Sequence, residues 1–308
     1  MDMAKAKPVF KEVAFKTVYF WWGRPDLNRG QESPSLLQWD DFKTWLLNEH
    51  SKNTVDHLLR YARQYSYLLN DPAKMTDLHG LSRDKRRNVM AALANLSRFI
   101  GTYDQWQGAI KKAGLHWGKR SSLEAVISIL EEDLSDVEAW LKKAADALPE
   151  TYRTVIIFQA LTGVRPTEAC VSCFLISTKG LEGYYNAQLS MLEHFRYPDL
   201  FLRRSKNAYI SFVPQDLLDH VLEVKPVVKY TAMISALRHR NLHIRLIELR
   251  KLYATTLREK GIPQEIIDIL QGRVSQSIFL RHYYKPYLAE VRNKVFEASS
   301  SILEKIKV

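Results

Sequence analysis

The sequence predicts a mostly α-helical protein with one small antiparallel β-sheet, arranged in two lobes. Apolar residues recur at helical spacing through most of 38–113 and again from 135 onward. Short runs with strand character are confined to 184–213. A stretch rich in glycine, serine and basic residues separates the two helical regions. With 308 residues, the chain has room for one large domain or two ordinary ones.

The first helical region contains two amphipathic patterns. In the first, a cap at Asn53 or Thr54 precedes apolar residues at helical spacing, namely Val55, Leu58, Leu59, Ala62, Tyr65 and Leu69. In the second, Ser82 is the predicted cap and Gly101 the predicted end, and the inner face comprises Val89, Met90, Leu93, Leu96 and Ile100. Residues 1–37 are rich in turn formers and aromatic residues, and they predict little regular helix.

The second half of the chain combines helices with short strands. Ser135-Asp136-Val137-Glu138 has the pattern of a capping box and predicts a helix to about Ala147, and a strongly apolar helix follows through Leu161. Three strands are predicted at Tyr184–Leu192, Leu200–Arg203 and Ala208–Val213, the last two joined by a hairpin turn at 204–207. Helices resume near Gln215, and the last three are predicted from Leu246 to Gly261, from Pro263 to Gly272, and over Leu288–Val308.

These patterns predict four parts in the chain. They are an N-terminal segment at 1–37, a helical domain at 38–113, a linker at 114–122 and a second domain at 123–308. The linker contains two glycines and two serines beside Lys119 and Arg120. A basic linker suits a chain that crosses a nucleic-acid backbone between two lobes.

The charge of the chain indicates a polyanionic partner. The net charge is +11 and the isoelectric point is about 9.5. The basic residues are spread over several helices, which favours nucleic acid over a membrane surface. Such residues are a solvated face or a phosphate-contacting surface, and the overall charge favours the second interpretation for Arg60, Arg63, Arg83, Arg86, Arg87, Lys119 and Arg120.

Other classes of protein are disfavoured by the sequence. No run reaches the ~18 apolar residues of a membrane span, and the apolar stretch from Val13 to Trp22 lacks the form of a signal peptide, so a cytoplasmic protein is expected. Cys170 and Cys173 are the two cysteines, and without a second pair they predict packed helix residues rather than a zinc site. We expect neither a metal nor a cofactor. No strand-borne aromatic motif for RNA is present.

A set of basic residues and a tyrosine in the second half can act on a phosphodiester. Arg165 is expected at the start of a helix, where Glu168, three residues on, shares its face and can fix its guanidinium. Arg250 lies near another helix start, Arg273 just beyond a helix end and Lys206 at the hairpin tip. Arginine's planar fork suits phosphate oxygens, a lysine can protonate a departing oxygen, and a tyrosine such as Tyr283 can attack phosphorus. Each residue alone is weak evidence, but their joint spacing is informative.

The spacing resembles the tyrosine recombinase, or phage integrase, family. The family's first arginine box is similar to Thr162-Gly163-Val164-Arg165-Pro166-Thr167-Glu168, and its second to Leu249-Arg250-Lys251-Leu252-Tyr253-Ala254-Thr255. Gly261 to Arg273 resembles the segment that carries a Gly-His pair, and Lys206 matches a β-hairpin lysine. The resemblance covers about residues 122 to 290 in its motifs, and 38–113 resembles the family's core-binding domain only in outline.

The chain departs from the family pattern at three places. The usual histidine three residues before the second arginine is replaced by Ile247, and Arg245, His243 or Lys251 remain alternatives for the missing donor. Arg273 stands where a histidine or tryptophan is usual. The nucleophile usually lies nine residues further on, where His282 stands, so Tyr283 is preferred and Tyr284 is the alternative. Such changes resemble the divergent integrases of archaeal spindle-shaped viruses and related plasmids.

The resemblance implies a site-specific recombinase that integrates and excises a mobile element as a two-lobed clamp on double-stranded DNA. Arg165, Arg250 and Arg273 would bind the scissile phosphate, Lys206 would protonate the 5′ oxygen, and Tyr283 would form a 3′-phosphotyrosine. A homo-oligomer on DNA, a tetramer in which the C-terminal helix docks on a neighbouring subunit, is expected. A type IB topoisomerase and a DNA-binding protein without catalysis are the alternatives.

The N-terminal peptide Pro25-Asp26-Leu27-Asn28-Arg29 fits the same resemblance. It can be encoded by CCGGATTTGAACCGG, which contains the reverse complement of a tRNA T-arm consensus. Integrases of the type named above often carry their attachment site, which matches a tRNA gene, inside the start of their own gene. The alternative interpretation is an ordinary turn. The resemblance therefore predicts a tRNA gene as the target.

Overall fold

The computed structural model describes residues 39–118, 121–131, 133–203, 206–274 and 285–307. This part of the chain is mostly helical and contains a small three-stranded antiparallel sheet, as predicted from the sequence. The chain divides into two compact units, Met1–Ser128 and Ile129–Val308.

The first unit has a helical core. Its elements are α1 (Trp39–Leu47), α2 (Lys52–Tyr65), α3 (Tyr67–Asn70), a 3₁₀ helix (Pro72–Gly80), α4 (Arg83–Phe99) and α5 (Tyr103–Lys112). The apolar face of α2 packs against that of α4.

The two predicted starts of these helices have different outcomes. Ser82 precedes α4 as expected, but α2 begins after Ser51, so a cap at Asn53 or Thr54 was wrong.

Helix α6 (Ser122–Glu131) crosses the division between the two units. None of its residues is buried. Ser121 caps it, since its hydroxyl accepts the Glu124 N–H and its own N–H donates to the Glu124 carboxylate. The sequence did not predict this helix.

The second unit is built around one central helix. Its elements are α7 (Ser135–Ala147), α8 (Glu150–Thr162), α9 (Pro166–Lys179), β1 (Tyr185–Asn186), β2 (Met191–Leu192), a 3₁₀ turn (His194–Arg196), α10 (Pro198–Phe201), β3 (Ser211–Phe212), α11 (Gln215–Val224), α12 (Tyr230–His239), α13 (Leu249–Glu259), α14 (Gln264–Leu270) and α15 (Leu288–Lys307). Helix α8 is apolar on most sides because α7, α9, α11, α13 and α15 all pack against it.

The sheet has the order β1-β2-β3, and both pairs are antiparallel. The predicted strand Tyr184–Leu192 was wrong as a single strand, because it contains β1, β2 and a turn between them. The Asn186 side chain accepts the Leu189 N–H in that turn, which favours a reversal over an extended run. The capping box at Ser135 was also wrong, since Ser135 is already helical and its N–H donates to Asp133 Oδ1.

The predicted strand Leu200–Arg203 was wrong as well. Pro198 suits the first turn of a helix, and Pro198–Phe201 forms α10. Its chain then reverses, and Leu202 pairs with Asn207 in an isolated antiparallel bridge. Lys206 directly precedes Asn207 of this bridge, and Arg204 and Ser205 of the predicted hairpin turn lie outside the described residues.

The C-terminal helix α15 packs on its own unit. Val295, Ala298 and Ile302 are buried against the core that α7, α8 and α13 share. The Ser299 hydroxyl donates to the Leu161 carbonyl at 3.2 Å, and Lys305 pairs with Glu138 at 2.6 Å. In the described part of the chain, no helix has the length and apolar character needed to cross a bilayer.

Candidate active site

The first element of the site is the turn between α8 and α9. Gly163 ends α8 in a left-handed conformation, with φ of +65°. A Cβ at this position would lie 2.1 Å from the Tyr253 ring, so no larger residue fits. The Gly163 carbonyl accepts a hydrogen bond from Arg250 Nη1 at 2.8 Å. The glycine therefore brings the end of α8 into direct contact with α13.

Arg165 lies at the cap of α9 and pairs with Glu168 as predicted. The Glu168 carboxylate accepts the Arg165 backbone N–H at 2.9 Å and Arg165 Nη1 at 2.8 Å. Glu168 is only 1% exposed, and Arg203 Nη2 also donates to its Oε1 at 2.8 Å. A buried carboxylate is costly unless it is paired. Glu168 is paired with two guanidinium groups and holds both at one place.

Arg250 is the most buried of the predicted arginines, with 7% of its surface exposed. Besides Gly163, its guanidinium donates to the Gln271 carbonyl at 3.0 Å. The pKa of Arg250 is lowered to about 10, chiefly by burial and further by the nearby positive charge of Arg165. The side chain stays protonated at neutral pH, so a buried cation faces the other arginines.

Arg273 follows α14 and is the most exposed of the three, at 59% of its side chain. Its Nη1 lies 3.3 Å from Asp268 Oδ1, and its Nη2 donates to the Gln271 side-chain oxygen. The positive charge of Arg273 also contributes to the lowered pKa of Arg250. The two arginines therefore lie within electrostatic reach of each other.

Asn207, the residue after Lys206, contacts both the end of α14 and Arg165. A Cβ at Gly272, where φ is +72°, would lie 1.6 Å from the Asn207 carbonyl oxygen. The same carbonyl accepts Arg165 Nη1 at 2.9 Å. The hairpin backbone thus lies between Arg165 and Gly272. Lys206, next in the chain, is exposed.

The position of the usual histidine is open to solvent. Ile247 is 57% exposed and has no group that can donate to a phosphate. Of the three alternatives, Arg245 Nε lies 3.7 Å from Glu248 Oε2, and His243 and Lys251 are exposed. The His243 backbone carbonyl accepts the Trp140 indole N–H, which ties this loop to α7. All three residues stay alternatives for the donor that replaces the usual histidine.

Several predicted residues lie outside the described ranges. Both candidate nucleophiles, Tyr283 and Tyr284, are among them, and so are Lys119, Arg120 and the peptide at 25–29.

The predicted DNA-contacting arginines of the first unit have different surroundings. Arg60 lies over the Tyr61 ring and Arg63 over the Trp39 ring. Two of the others form ion pairs, Arg83 with Glu124 and Arg87 with Asp84, and Arg86 is half-buried.

The structure adds three residues that the sequence did not single out. They are Arg203 on Glu168, Asn207 on Arg165, and Gln271 between Arg250 and Arg273. Gln271 stands directly before Gly272-Arg273, so proximity in sequence was a usable signal for that residue alone. Arg203 meets Glu168, and Asn207 meets Arg165, only through the fold.

The assembled group has the fixed cationic donors that an anion site needs. Arg165 and Arg203 share the buried Glu168 carboxylate, Arg250 and Arg273 share Gln271, and glycines 163 and 272 admit the close backbone approaches at this place. Fixed guanidinium donors suit the charge that develops on a phosphoryl group. Among the residues that the structure describes, no cluster of three or more metal-ligating side chains is present.

Comparison with known proteins points to one family. The family model described as archaeal phage integrase matches residues 133–295, a stretch that contains every arginine of this site. No match to the chain was found among curated proteins or among solved structures.

Proposed function

Since the matched stretch exceeds half of the 308 residues, the chain belongs to the archaeal phage integrase family, and we propose that it recombines DNA by tyrosine attack on a phosphodiester. The family supports DNA integration in general terms. The chemistry, the residue roles and the DNA target are the parts that the proposal adds.

One observation carries the proposed chemistry. Arg165, Arg250 and Arg273 come from three separate helix ends, yet Gln271 contacts both Arg250 and Arg273, and the charges of Arg165 and Arg273 both act on Arg250. Burial is the main cause of the lowered pKa of Arg250, and repulsion from Arg165 and Arg273 lowers it further, so the convergence of cations has a cost. A bound phosphate would offset this cost because it places negative charge among the three guanidinium groups.

The proposed reaction assigns one role to each residue. The Tyr283 phenol loses its proton as its oxygen bonds to phosphorus, and the bond from phosphorus to the 5′ oxygen breaks. Lys206 gives a proton to that departing oxygen, and Tyr284 is the alternative nucleophile. The three arginines neutralise the pentacovalent phosphorane, and Glu168 orients Arg165. The phenol proton passes to solvent water, because Ile247 carries no group that can accept it.

The proposal extends to the DNA and the assembly. The helical unit and the catalytic unit would clamp double-stranded DNA in the cytoplasm, where the basic residues of the first unit contact phosphates. Recombination needs four strand cleavages, so a tetramer on DNA is proposed. The target is a tRNA gene, on the strength of the peptide Pro25-Asp26-Leu27-Asn28-Arg29.

A suicide substrate tests the proposed chemistry. A nicked attachment-site duplex loses the fragment beyond the cleavage point and traps the covalent complex, which a denaturing gel separates. The wild type should form the adduct, Tyr283→Phe should abolish it, and Tyr284→Phe should retain it. Absence of any adduct with the wild type, or an adduct undiminished in Tyr283→Phe, would refute the assignment, and exchanged behaviour of the two variants would move the nucleophile to Tyr284.

The exposed Ile247 supports a second candidate, a DNA-binding protein without cleavage. Tight attachment-site binding without nicking under any condition would favour it. Relaxation of supercoiled plasmid without sequence preference would instead favour a type IB topoisomerase.

A further inference from the structure

Gln271 occupies the space between two arginines of the site. It is 2% exposed and forms three hydrogen bonds with them. Its backbone carbonyl accepts Arg250 Nη2 at 3.0 Å, and its side-chain Nε2 donates to the Arg250 carbonyl at 2.7 Å. Its side-chain Oε1 accepts Arg273 Nη2. One buried residue thus contacts both the backbone and the guanidinium of Arg250 together with the guanidinium of Arg273.

A carboxamide is the side chain that this arrangement requires. The two ends of the amide meet groups of opposite kind, a carbonyl acceptor on Arg250 and a guanidinium donor on Arg273. Glutamine supplies an NH₂ donor group and a carbonyl acceptor on a single planar group. An ionised glutamate would keep only the acceptor and would repel the Arg250 carbonyl, and a leucine of similar size would satisfy neither.

Arg273 needs such a partner because of its exposure. More than half of its side chain is open to solvent, and its long stem has several rotatable bonds. Asp268 and Gln271 each accept from one terminal nitrogen of the guanidinium, Nη1 and Nη2. Each of these nitrogens carries a second N–H, and the Nε N–H is a further donor. The guanidinium is thereby oriented while donors remain for a phosphate.

We propose that Gln271 is a positioning residue that fixes Arg273 relative to Arg250, so that both guanidinium groups meet one phosphate. The proposal rests on the proposed function, because it concerns the same phosphate site. Gln271 does not touch the phosphate in this scheme and acts only through the two arginines.

The proposal is tested by comparing the cleavage rates of two substrates, one with a charged phosphate and one with an uncharged methylphosphonate at the scissile position. The variant is Gln271→Leu, and the matched control is Gln215→Leu on the exposed start of α11. Adduct formation is followed in single turnover on a nicked duplex with an ordinary scissile phosphate, and again with a methylphosphonate there. Gln271→Leu should cleave the phosphate about 100-fold more slowly than the wild type, since a misplaced guanidinium no longer stabilises the developing charge.

The methylphosphonate distinguishes positioning from a merely structural role. It lacks the charge that the arginines neutralise, so Gln271→Leu should fall within about threefold of the wild type on this substrate. Gln215→Leu should match the wild type on both. An equal loss on both substrates, or no loss on the phosphate, would overturn the proposal.

A spectroscopic measurement keeps the test independent of cleavage. In protein labelled with ¹⁵N-arginine, the Nε–H signals of Arg250 and Arg273 are assigned with Arg250→Lys and Arg273→Lys. Gln271→Leu should shift both signals, and Gln215→Leu should shift neither. If the wild type forms no adduct, the proposed function fails, and the spectra alone then decide whether Gln271 holds the two arginines. Unmoved signals in Gln271→Leu would refute that role.

Discussion

Gly272 sets the distance between the lysine-bearing hairpin and the end of α14. Its φ of +72° is a conformation that L side chains rarely adopt, and its Cα faces the Asn207 carbonyl. The Asn207 carbonyl also accepts a hydrogen bond from Arg165. A displacement of the hairpin would therefore move Lys206 and disturb Arg165 at the same time. The absence of a side chain at Gly272 thus allows the residue before Arg273 to approach the carbonyl that Arg165 contacts.

Substitution of Gly272 by alanine should separate backbone strain from steric collision. Gly261→Ala is the matched control, because Gly261 has φ of +74° but no heavy atom within 4 Å of the added Cβ. Both variants should lose about 1 kcal/mol of unfolding free energy from the left-handed conformation. Gly272→Ala should lose more, and its adduct formation should fall at least ~10-fold, because the hairpin must move. Urea unfolding and the suicide-substrate assay measure the two effects, and equal behaviour of the variants would contradict the steric explanation.

At the scale of elements, a buried polar chain fastens the sheet to α9. The Tyr184 hydroxyl donates to Ser172 on α9 at 3.1 Å and lies 2.7 Å from His194 Nδ1. His194 Nε2 lies 2.8 Å from the Ser211 hydroxyl on β3. Complete burial lowers the pKa of His194 to about 3, so the imidazole is neutral in the folded protein.

This neutral histidine should make the protein sensitive to acid. His194 takes up a proton below its ordinary pKa of about 6.5 only in the unfolded chain, so unfolding becomes more favourable as pH falls from there toward 3. The contribution reaches about 1.4 kcal/mol per pH unit. In His194→Gln, the slope of unfolding free energy against pH should be smaller by that amount, as urea unfolding over a pH series would measure. Identical slopes in the variant and the wild type would exclude His194 as the cause.

The elements show where sequence reasoning succeeds and where it fails. The helices α4, α7, α8 and α15 could be predicted because each has many apolar positions at helical spacing. The strands have two residues each, too few for an alternating pattern, so turns and the short helix α10 were taken for strand. Their conformation depends on partners distant in sequence, such as the contacts of His194 with Tyr184 and Ser211.

Some contacts of the site could likewise be predicted from the sequence and others could not. The pairing of Arg165 with Glu168 follows from a spacing of three residues at a helix start, and it was predicted. The contacts of Arg203 with Glu168 and of Arg250 with Gly163 join residues far apart in the chain. Pattern and spacing identify which arginines belong to the site, but only the packing of α8, α13 and the hairpin determines which carbonyl or carboxylate each of them meets.

On the scale of the whole molecule, charge is the dominant property. The excess of +11 is expected to bring the protein to DNA and to make binding depend strongly on salt. Ion pairs reduce the share of this charge that is available to phosphates. Arg83 and Arg196, for example, are each paired with a carboxylate, Glu124 and Glu193.

Removal of Arg86, for which the described residues provide no ion pair, and of the paired Arg196 should therefore differ. Arg86→Gln and Arg196→Gln change the net charge equally, but only Arg86 is among the proposed phosphate contacts. The slope of log binding constant against log salt should become less steep by about 0.9 in Arg86→Gln and stay near the wild-type value in Arg196→Gln. Fluorescence anisotropy with attachment-site DNA over a salt series measures it. An equal change in both variants would mean that net charge alone sets the dependence.

The contact of Gly163 with the Tyr253 ring has a genetic consequence. Every missense change in a glycine codon adds a Cβ, and at Gly163 that atom would meet an aromatic ring at 2.1 Å while φ remains at +65°. No amino acid that a point mutation can supply fits. A random screen for loss of integration would therefore recover Gly163 alongside the arginines, although glycine itself performs no chemistry. Suppressors of such alleles would arise at Tyr253, where a smaller side chain makes room.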